Sequence, residues 1–227
     1  MEIGPDRCEV CSRAFAIGPF QPSYLFVCPT CGFKSSVPKT TLATHEPLES
    51  VLKSGNGVGV VRSLSIVEAI ARIVVDAHLD GWVHGHLAPR LIWVGADGKY
   101  LIQTDIDLSS ETREALQFSS STTVSSDIEY LAPELLLLSK SMDRRADVYS
   151  LGAILFHLLW GKPPLWHYHS IEDKLAASLC GHIQKPCQLE GDGAATLGMV
   201  CELAMKADPG ARYKTSCEFL QSLSKTE

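Results

Sequence analysis

Two pairs of closely spaced cysteines, Cys8-Glu-Val-Cys11 and Cys28-Pro-Thr-Cys31, stand near the start of this 227-residue sequence, with 16 residues between them. Two knuckles at this spacing are typical of a tetrahedral zinc site with four thiolate ligands. A segment of about 34 residues cannot bury enough apolar surface to fold alone, so a metal would stabilise it. Because four thiolates leave no open coordination position, we expect a structural zinc ion and not a catalytic one.

This first segment, residues 1–34, resembles a zinc ribbon. The alternatives are four free cysteines or a redox pair, but a redox C-x-x-C motif needs no second copy. The N-terminus is polar and acidic and is not followed by an apolar run, so it does not have the pattern of a signal peptide. We therefore expect a cytoplasmic protein, in which thiols stay reduced and paired cysteines bind metal.

The sequence divides into a ribbon at 1–34, a polar linker at 35–46 and a larger region at 47–227. Helical periodicity begins near Pro47, and a longer amphipathic helix is predicted after Ser65. Residues 91–104 alternate like short strands around a Gly-Ala-Asp-Gly turn. The segment from Asp147 to Leu159 is apolar almost all round, so we expect a buried central helix.

The larger region resembles the C-terminal lobe of a eukaryotic-type protein kinase. Five motifs in the family's order carry the resemblance. They are His84-Gly-His-Leu-Ala-Pro-Arg-Leu91, Thr104-Asp-Ile-Asp-Leu108, Tyr130-Leu-Ala-Pro-Glu134, Asp147-Val-Tyr-Ser-Leu-Gly152 and Asp208-Pro-Gly-Ala-Arg212. The expected fold class is therefore a small β zinc ribbon followed by a mainly α protein-kinase-like C-lobe.

The resemblance assigns structural roles to four residues. Glu134 is expected to pair with Arg212 in a partly buried ion pair. Asp147 is expected to accept backbone N–H groups of the loop near His84. These residues hold the fold together and transfer no phosphate.

The positions that perform phosphoryl transfer in the family are altered. The aspartate that accepts the proton of the substrate hydroxyl is replaced by His86, and the lysine that steadies the γ-phosphate is replaced by Ala88. Leu91 stands where an asparagine would hold the second Mg²⁺, a hard cation that Leu cannot bind. Asp105 alone is retained, as the Mg²⁺-binding aspartate. Asp127 replaces the family's threonine before the A-P-E tyrosine.

The kinase N-lobe is also expected to be missing. Only about 15 residues separate Cys31 from the first helix, too few for a five-stranded sheet with strands of about 5–6 residues. Gly55-Asn-Gly-Val-Gly59 imitates a glycine-rich phosphate loop, but it lies between two predicted helices and no strand lysine follows. A connecting loop is the better interpretation, since lone glycine patterns often match by chance.

We therefore expect a pseudokinase-type interaction or regulatory module that has an unidentified protein partner, binds structural Zn²⁺ and does not use ATP or Mg²⁺. One alternative is a degenerate Ser/Thr kinase whose N-lobe comes from a partner chain. Another is a zinc-ribbon protein that binds nucleic acid, but a net charge of −6, all of it beyond residue 46, argues against this. The longest apolar stretch is too short to cross a membrane.

Three weaker patterns have competing interpretations. His84 and His86, with the nearby aspartates of the second motif, could bind a metal, although structural histidines are favoured. The Ser/Thr run at 119–126 could be phosphorylated or simply form a loop. The remaining cysteines lack metal-site spacing and are expected to pack in the core; they are Cys180, Cys187, Cys201 and Cys217.

Overall fold

The computed structural model of the chain describes residues 25–27, 34–36, 45–53, 55–81, 83–95, 98, 100–102, 127–136, 143–184 and 193–224. These residues form a mainly helical fold with a small three-stranded sheet and a separate two-stranded hairpin. No helix within these ranges is long and apolar enough to span a bilayer.

The strands form two antiparallel sheets. Strand β1 (Leu25–Val27) pairs with β2 (Lys34–Ser36), with Val27 opposite Lys34. In the second sheet, β4 (Ile92–Gly95) is central and pairs with β3 (His45–Pro47) on one side and β5 (Tyr100–Ile102) on the other. The prediction of short strands within 91–104 is therefore confirmed. Strand β2 ends at Ser36 and β3 begins at His45, so both ends of the predicted linker at 35–46 lie in strands.

Seven helices occur among the described residues. They are α1 (Leu48–Leu52), α2 (Val60–Leu79), α3 (Pro133–Leu136), α4 (Arg144–Trp160), α5 (Ile171–Cys180), α6 (Ala194–Ala204) and α7 (Ser216–Leu223). Short 3₁₀ turns at Pro89–Leu91 and Pro209–Ala211 complete the regular structure of these ranges.

Helix α4 is the centre of the core. Fourteen of its 17 residues are buried, and α2, α6 and α7 all contact it. Asp143 caps its N-terminus by accepting the Arg145 amide, and Gly161 ends it with a φ of +68°, a conformation that glycine adopts without strain. The prediction of a buried central helix is confirmed, because an apolar surface on all sides requires packing partners on all sides.

Helix α6 comes very close to α4 at Gly152. A Cβ on Gly152 would lie 2.6 Å from the Cβ of Ala204 and 3.1 Å from Cγ of Met205. The two helices therefore pack through a small residue on each side, which is why a glycine is tolerated inside a long helix despite its low helix propensity.

Helix α2 begins earlier than the sequence indicated. The apolar positions Ile66, Ile70 and Val74 are buried as expected, but the helix starts at Val60 and not after Ser65. In its first turn Val61 is 82% accessible and the fully buried position is the polar Ser63, so no apolar periodicity marks the start.

The cysteine prediction was wrong at two of the described positions. Cys201 is buried, but Cys180 and Cys217 are exposed. In α7 the buried positions are Ser216, Phe219 and Leu223, so Cys217 falls on the opposite face of the helix. Cys187 lies outside the described residues.

Candidate functional site

The carboxylate of Asp147 is the anchor of the loop that begins at His84. Its Oδ2 accepts the His84 amide at 2.9 Å, and its Oδ1 accepts the Gly85 amide at 2.6 Å. Asp147 lies in the first turn of α4 and is fully buried. A buried carboxylate with several donors is stable without a metal, so this contact fixes the loop to the central helix.

His78 extends the Asp147 cluster to two further helices. Its Nε2 lies 2.8 Å from Oδ2 of Asp147, and its Nδ1 lies 2.9 Å from the Ser216 hydroxyl. Ser216, His78 and Asp147 are arranged like the catalytic triad of a serine hydrolase. However, Ser216 is 1% exposed, so no substrate can reach it. The three side chains therefore join α2, α4 and α7 and perform no chemistry.

The structure brings Glu134 and Arg212 together in a bidentate ion pair. Nη1 of Arg212 donates to Oε1 of Glu134 at 2.8 Å, and Nη2 donates to Oε2 at 2.7 Å. The other N–H groups of Arg212 donate to three backbone carbonyls, at Lys206, Arg145 and Ala207. All five donors of the guanidinium therefore have acceptors, and its Cζ lies 5.0 Å from the Tyr149 ring centroid.

Ala88 and Leu91 lie on the loop that leads into β4. Both side chains are completely buried in the apolar core. The Leu91 amide donates to the Ala88 carbonyl at 2.9 Å, which closes the 3₁₀ turn between them. Neither side chain offers a charge or a polar atom to a phosphate or a cation.

His86 contacts Asp127, which begins the segment that leads to Tyr130. Nε2 of His86 lies 2.9 Å from Oδ2 of Asp127, and both side chains are under 5% exposed. Neither ring nitrogen of His86 makes a well-aligned hydrogen bond to a described residue. The contact is therefore a close approach of an imidazole to a carboxylate, without the directional geometry of a hydrogen bond.

Arg90 is the second partner of Asp127. Its Nε donates to Oδ2 of Asp127 at 2.6 Å, while the guanidinium remains 31% exposed. Burial alone would raise the pKa of Asp127, but the neighbouring His86 and Arg90 outweigh it, and the pKa lies below its ordinary value. Asp127 is therefore an ionised carboxylate held between two basic side chains.

A cleft of about 240 Å³ opens beside this cluster. On one wall the Tyr130 hydroxyl lies 2.6 Å from Nδ1 of His157. Burial and the nearby Lys162 lower the pKa of His157 to about 4, and burial raises that of Tyr130 well above its ordinary value. Both groups are therefore neutral at pH 7, and the tautomer of His157 decides which of them donates the hydrogen bond. The lining residues are Glu49, Leu52, Lys53, Pro89, Arg90, Asp127, Glu129, Tyr130, His157 and Pro163.

Glu129 forms a further buried ion pair at the edge of this cleft. Its Oε1 accepts from Nζ of Lys174 on α5, and Oε2 has no partner among the described residues. Burial raises the pKa of Glu129, although Lys174 acts in the opposite direction. This pair connects the 127–130 segment to α5.

Several residues singled out in the sequence lie outside the described ranges. They are the four metal-ligand candidates Cys8, Cys11, Cys28 and Cys31, the retained Asp105 and the Ser/Thr run at 119–126. Within the described ranges, no three His, Cys, Asp or Glu side chains are grouped closely enough to hold a metal ion.

Sequence reasoning noted the changes at His86 and Asp127 separately and did not predict their contact. A signal was present, because an acidic residue is lost at one position and gained at the other. Arg90 belongs to the same motif as His86, but its pairing with Asp127 spans 37 residues of sequence and requires the folded chain. No sequence motif pointed to His78, Ser216 or His157.

The sequence matches the protein kinase domain family over residues 41–215. The match covers more than half of the chain. The chain therefore belongs to the protein kinase domain family.

Its relatives include serine/threonine-protein kinases of mycobacteria. PknJ of Mycobacterium tuberculosis (strain ATCC 25618 / H37Rv) is 28% identical over 166 residues, which are 70% of this chain and 27% of PknJ. PknA of the same strain is 27% identical over 184 residues, covering 81% of this chain and 41% of PknA. PknB of Mycobacterium leprae (strain TN) is 25% identical over 166 residues, covering 71% of this chain and 26% of PknB. The chain thus spans less than half of the length of each of these relatives.

Proposed function

We propose that this chain is a pseudokinase-type interaction or regulatory module of the cytoplasm, with a structural zinc ribbon at 1–34 and a kinase-like C-terminal lobe at 47–227. The observation that carries the proposal is the buried contact between His86 and Asp127. It occupies the position where a kinase needs an accessible carboxylate to accept the proton of a substrate hydroxyl.

The neighbouring positions support the same conclusion. Ala88 and Leu91 are buried apolar residues, so a γ-phosphate finds no lysine here and a second Mg²⁺ finds no asparagine. By contrast, Asp147 accepts the His84 and Gly85 amides, and Glu134 accepts two hydrogen bonds from Arg212. The residues that maintain the fold are thus retained, while three of the positions that transfer phosphate in the family are occupied by His86, Ala88 and Leu91, which suits a protein-binding role.

A phosphotransfer assay tests the proposal. The purified chain is incubated with radiolabelled ATP, Mg²⁺ or Mn²⁺ and a general protein substrate, beside the variant Asp105→Ala. We expect no label above the protein-free blank in either sample and no rise in Tm with ATP and Mg²⁺. Label that appears with the native chain and disappears with Asp105→Ala would overturn the proposal.

The zinc site is proposed from the chemistry of its donors, Cys8, Cys11, Cys28 and Cys31. Antiparallel pairing of Val27 with Lys34 supports it, because this ladder flanks the second cysteine pair and suits a ribbon hairpin. When bound, zinc would join the two knuckles and stabilise the segment. Metal analysis should find one zinc per chain, retained in Cys180→Ser and lost in Cys28→Ser. An unchanged zinc content in Cys28→Ser would reject the site.

The names of the relatives favour a second candidate, a serine/threonine kinase whose missing parts come from another chain. Asp105 would then still bind Mg²⁺. This candidate requires that the chain copurify with a protein carrying a glycine-rich loop and a strand lysine, and that the complex, unlike the isolated chain, phosphorylate a substrate. Activity of the complex that survives Asp105→Ala would exclude this chain as its source.

A further inference from the structure

Asp127 makes two contacts with a single short stretch of chain. Its Oδ2 lies 2.9 Å from Nε2 of His86 and 2.6 Å from Nε of Arg90, and its side chain is 3% exposed. The two basic residues flank the buried loop around Ala88. One carboxylate therefore holds the start of the 127–130 segment against the loop at 86–90.

The remainder of the segment continues from this point into the core. The Tyr130 amide donates to the Asp127 carbonyl at 2.9 Å, and the Tyr130 carbonyl accepts from the Ser150 hydroxyl at 2.8 Å. The Tyr130 ring then reaches His157 through its hydroxyl. One end of the segment is thus held by charge and the other by hydrogen bonds to α4.

We propose that Asp127, between His86 and Arg90, is a permanent electrostatic latch that keeps the 127–130 wall of the cleft in place without a bound nucleotide or a phosphate group. This inference rests on the proposed function, in that the preformed cleft would serve partner binding. Asp127, His86 and Arg90 act as positioning residues in it.

Charge and burial support a fixed latch over a switch. An added phosphate orders a loop when it finds arginines to pair with. Here Arg90 is already paired, and its partner is a side chain encoded in the sequence. Because the ion pair is mostly shielded from water, salt screens it less than it screens a surface pair. A cleft formed in advance also reduces the ordering cost that a partner would otherwise meet on binding.

Hydrogen exchange on the full chain, read by mass spectrometry over residues 128–131, tests the latch. Asp127→Asn should speed exchange in this segment at least about tenfold, since breaking a buried ion pair from one side is strongly destabilising. Asp127→Glu, which keeps the carboxylate, should restore most of the protection. The control is Glu68→Gln, which removes a carboxylate from a partly exposed pair with Arg72 and should leave the segment unchanged.

A second variant protects the test against global unfolding. Arg90→Gln removes the partly exposed member of the pair, and α4 amides report whether the core is still folded. Local acceleration in either variant with α4 protection intact supports the latch. The proposal is overturned if the exchange rate of residues 128–131 stays within about twofold of the native value in Arg90→Gln and in any Asp127→Asn sample that is folded.

Treating the native chain with phosphatase, or adding ATP and Mg²⁺, provides an independent test of the latch. Neither should alter exchange in 128–131 of the native chain by more than about twofold, because the latch needs neither ligand. A change as large as that in Arg90→Gln would show that the segment is switched and would overturn the proposal. The outcome is separate from the phosphotransfer assay, so the latch and the proposed function can fail independently.

Discussion

Tyr130 and His157 are 27 residues apart and meet at the wall of the cleft, where the Tyr130 hydroxyl lies 2.6 Å from Nδ1 of His157. Both are neutral at pH 7, because burial lowers the pKa of His157 to about 4 and raises that of Tyr130. A neutral donor and a neutral acceptor at this distance suit a buried position, where a charged imidazole would be costly.

This pair predicts a loss of stability in acid. The pKa of His157 is about 4 in the folded chain and about 6.5 in the unfolded chain, so the unfolded state binds the proton first. The free energy of unfolding is therefore greatest above pH 6.5 and falls as the pH drops from 6.5 toward 4, by up to about 3 kcal/mol from this group. Urea unfolding at a series of pH values between 7.5 and 4.5 measures this fall in the free energy of unfolding.

The matched variant for the acid effect is His157→Gln, which keeps an acceptor for Tyr130 but does not titrate. Its free energy of unfolding should depend less steeply on pH over the same interval. Equal slopes in the native chain and in His157→Gln would show that the acid sensitivity comes from other groups. Tyr130→Phe should cost about 1–3 kcal/mol at pH 7.5, because His157 Nδ1 is left without its hydrogen-bond partner.

Glu134→Gln is expected to destabilise the chain by about 3–5 kcal/mol, because it leaves the buried Arg212 without its compensating charge. Thermal or urea unfolding measures the loss. Glu68→Gln is the matched control, since it removes the same charge from a partly exposed pair in which Glu68 and Arg72 lie 3.9 Å apart. It should cost less than about 0.5 kcal/mol. Equal losses in both variants would mean that burial of the Glu134–Arg212 pair has no energetic consequence.

Asp147→Asn is predicted to cost more than Ser216→Ala, although both residues belong to the same buried cluster. Asp147 accepts two backbone amides and contacts His78, and hydrogen bonds to a charged group contribute about 1.5–3 kcal/mol each. Ser216→Ala removes only one neutral partner of His78, at about 1 kcal/mol. Urea unfolding of both variants should give this order, and the reverse order would contradict the assignment of Asp147 as the anchor.

Patterns along the chain were sufficient to predict the central helix and the β4–β5 hairpin. The apolar surface on all sides of α4 and the alternation within 91–104 are local signals, and the structure follows both. The start of α2 was missed because Val61 and Arg62 are exposed and the fully buried position of the first turn is the polar Ser63, so no apolar periodicity marks it. Solvent exposure of Cys180 and Cys217 was missed because residue type alone does not give the face of a helix.

The candidate site was less predictable than the fold. The proposal that His86, Ala88 and Leu91 are degenerate positions follows from motif order alone. The contact of His86 with Asp127 could not, because ion pairs between distant segments depend on how the chain brings two loops together. The neutral state of His157 depends on burial and on Lys162, neither of which is visible in its own helix pattern.

The glycine pattern between α1 and α2 yields a prediction that separates packing from phosphate binding. The expectation of a connecting loop is confirmed, and the loop packs on the end of α4, where the Val58 amide donates to the Leu158 carbonyl at 2.9 Å. A Cβ on Gly57 would lie 2.1 Å from the Leu159 carbonyl oxygen. This glycine is therefore required by close contact with backbone and not by a ligand.

Gly57→Ala should cost at least about 1–3 kcal/mol in urea unfolding, because the clash is with backbone atoms that cannot rotate away. Gly81→Ala is the matched comparison, since Gly81 has a φ of +82° and open space around its Cα, and its cost should be about 1–2 kcal/mol from backbone strain alone. The two losses have different physical causes, and the steric one should be larger. A Gly57→Ala chain as stable as the native one, with altered binding of a nucleotide, would instead make this loop a phosphate site.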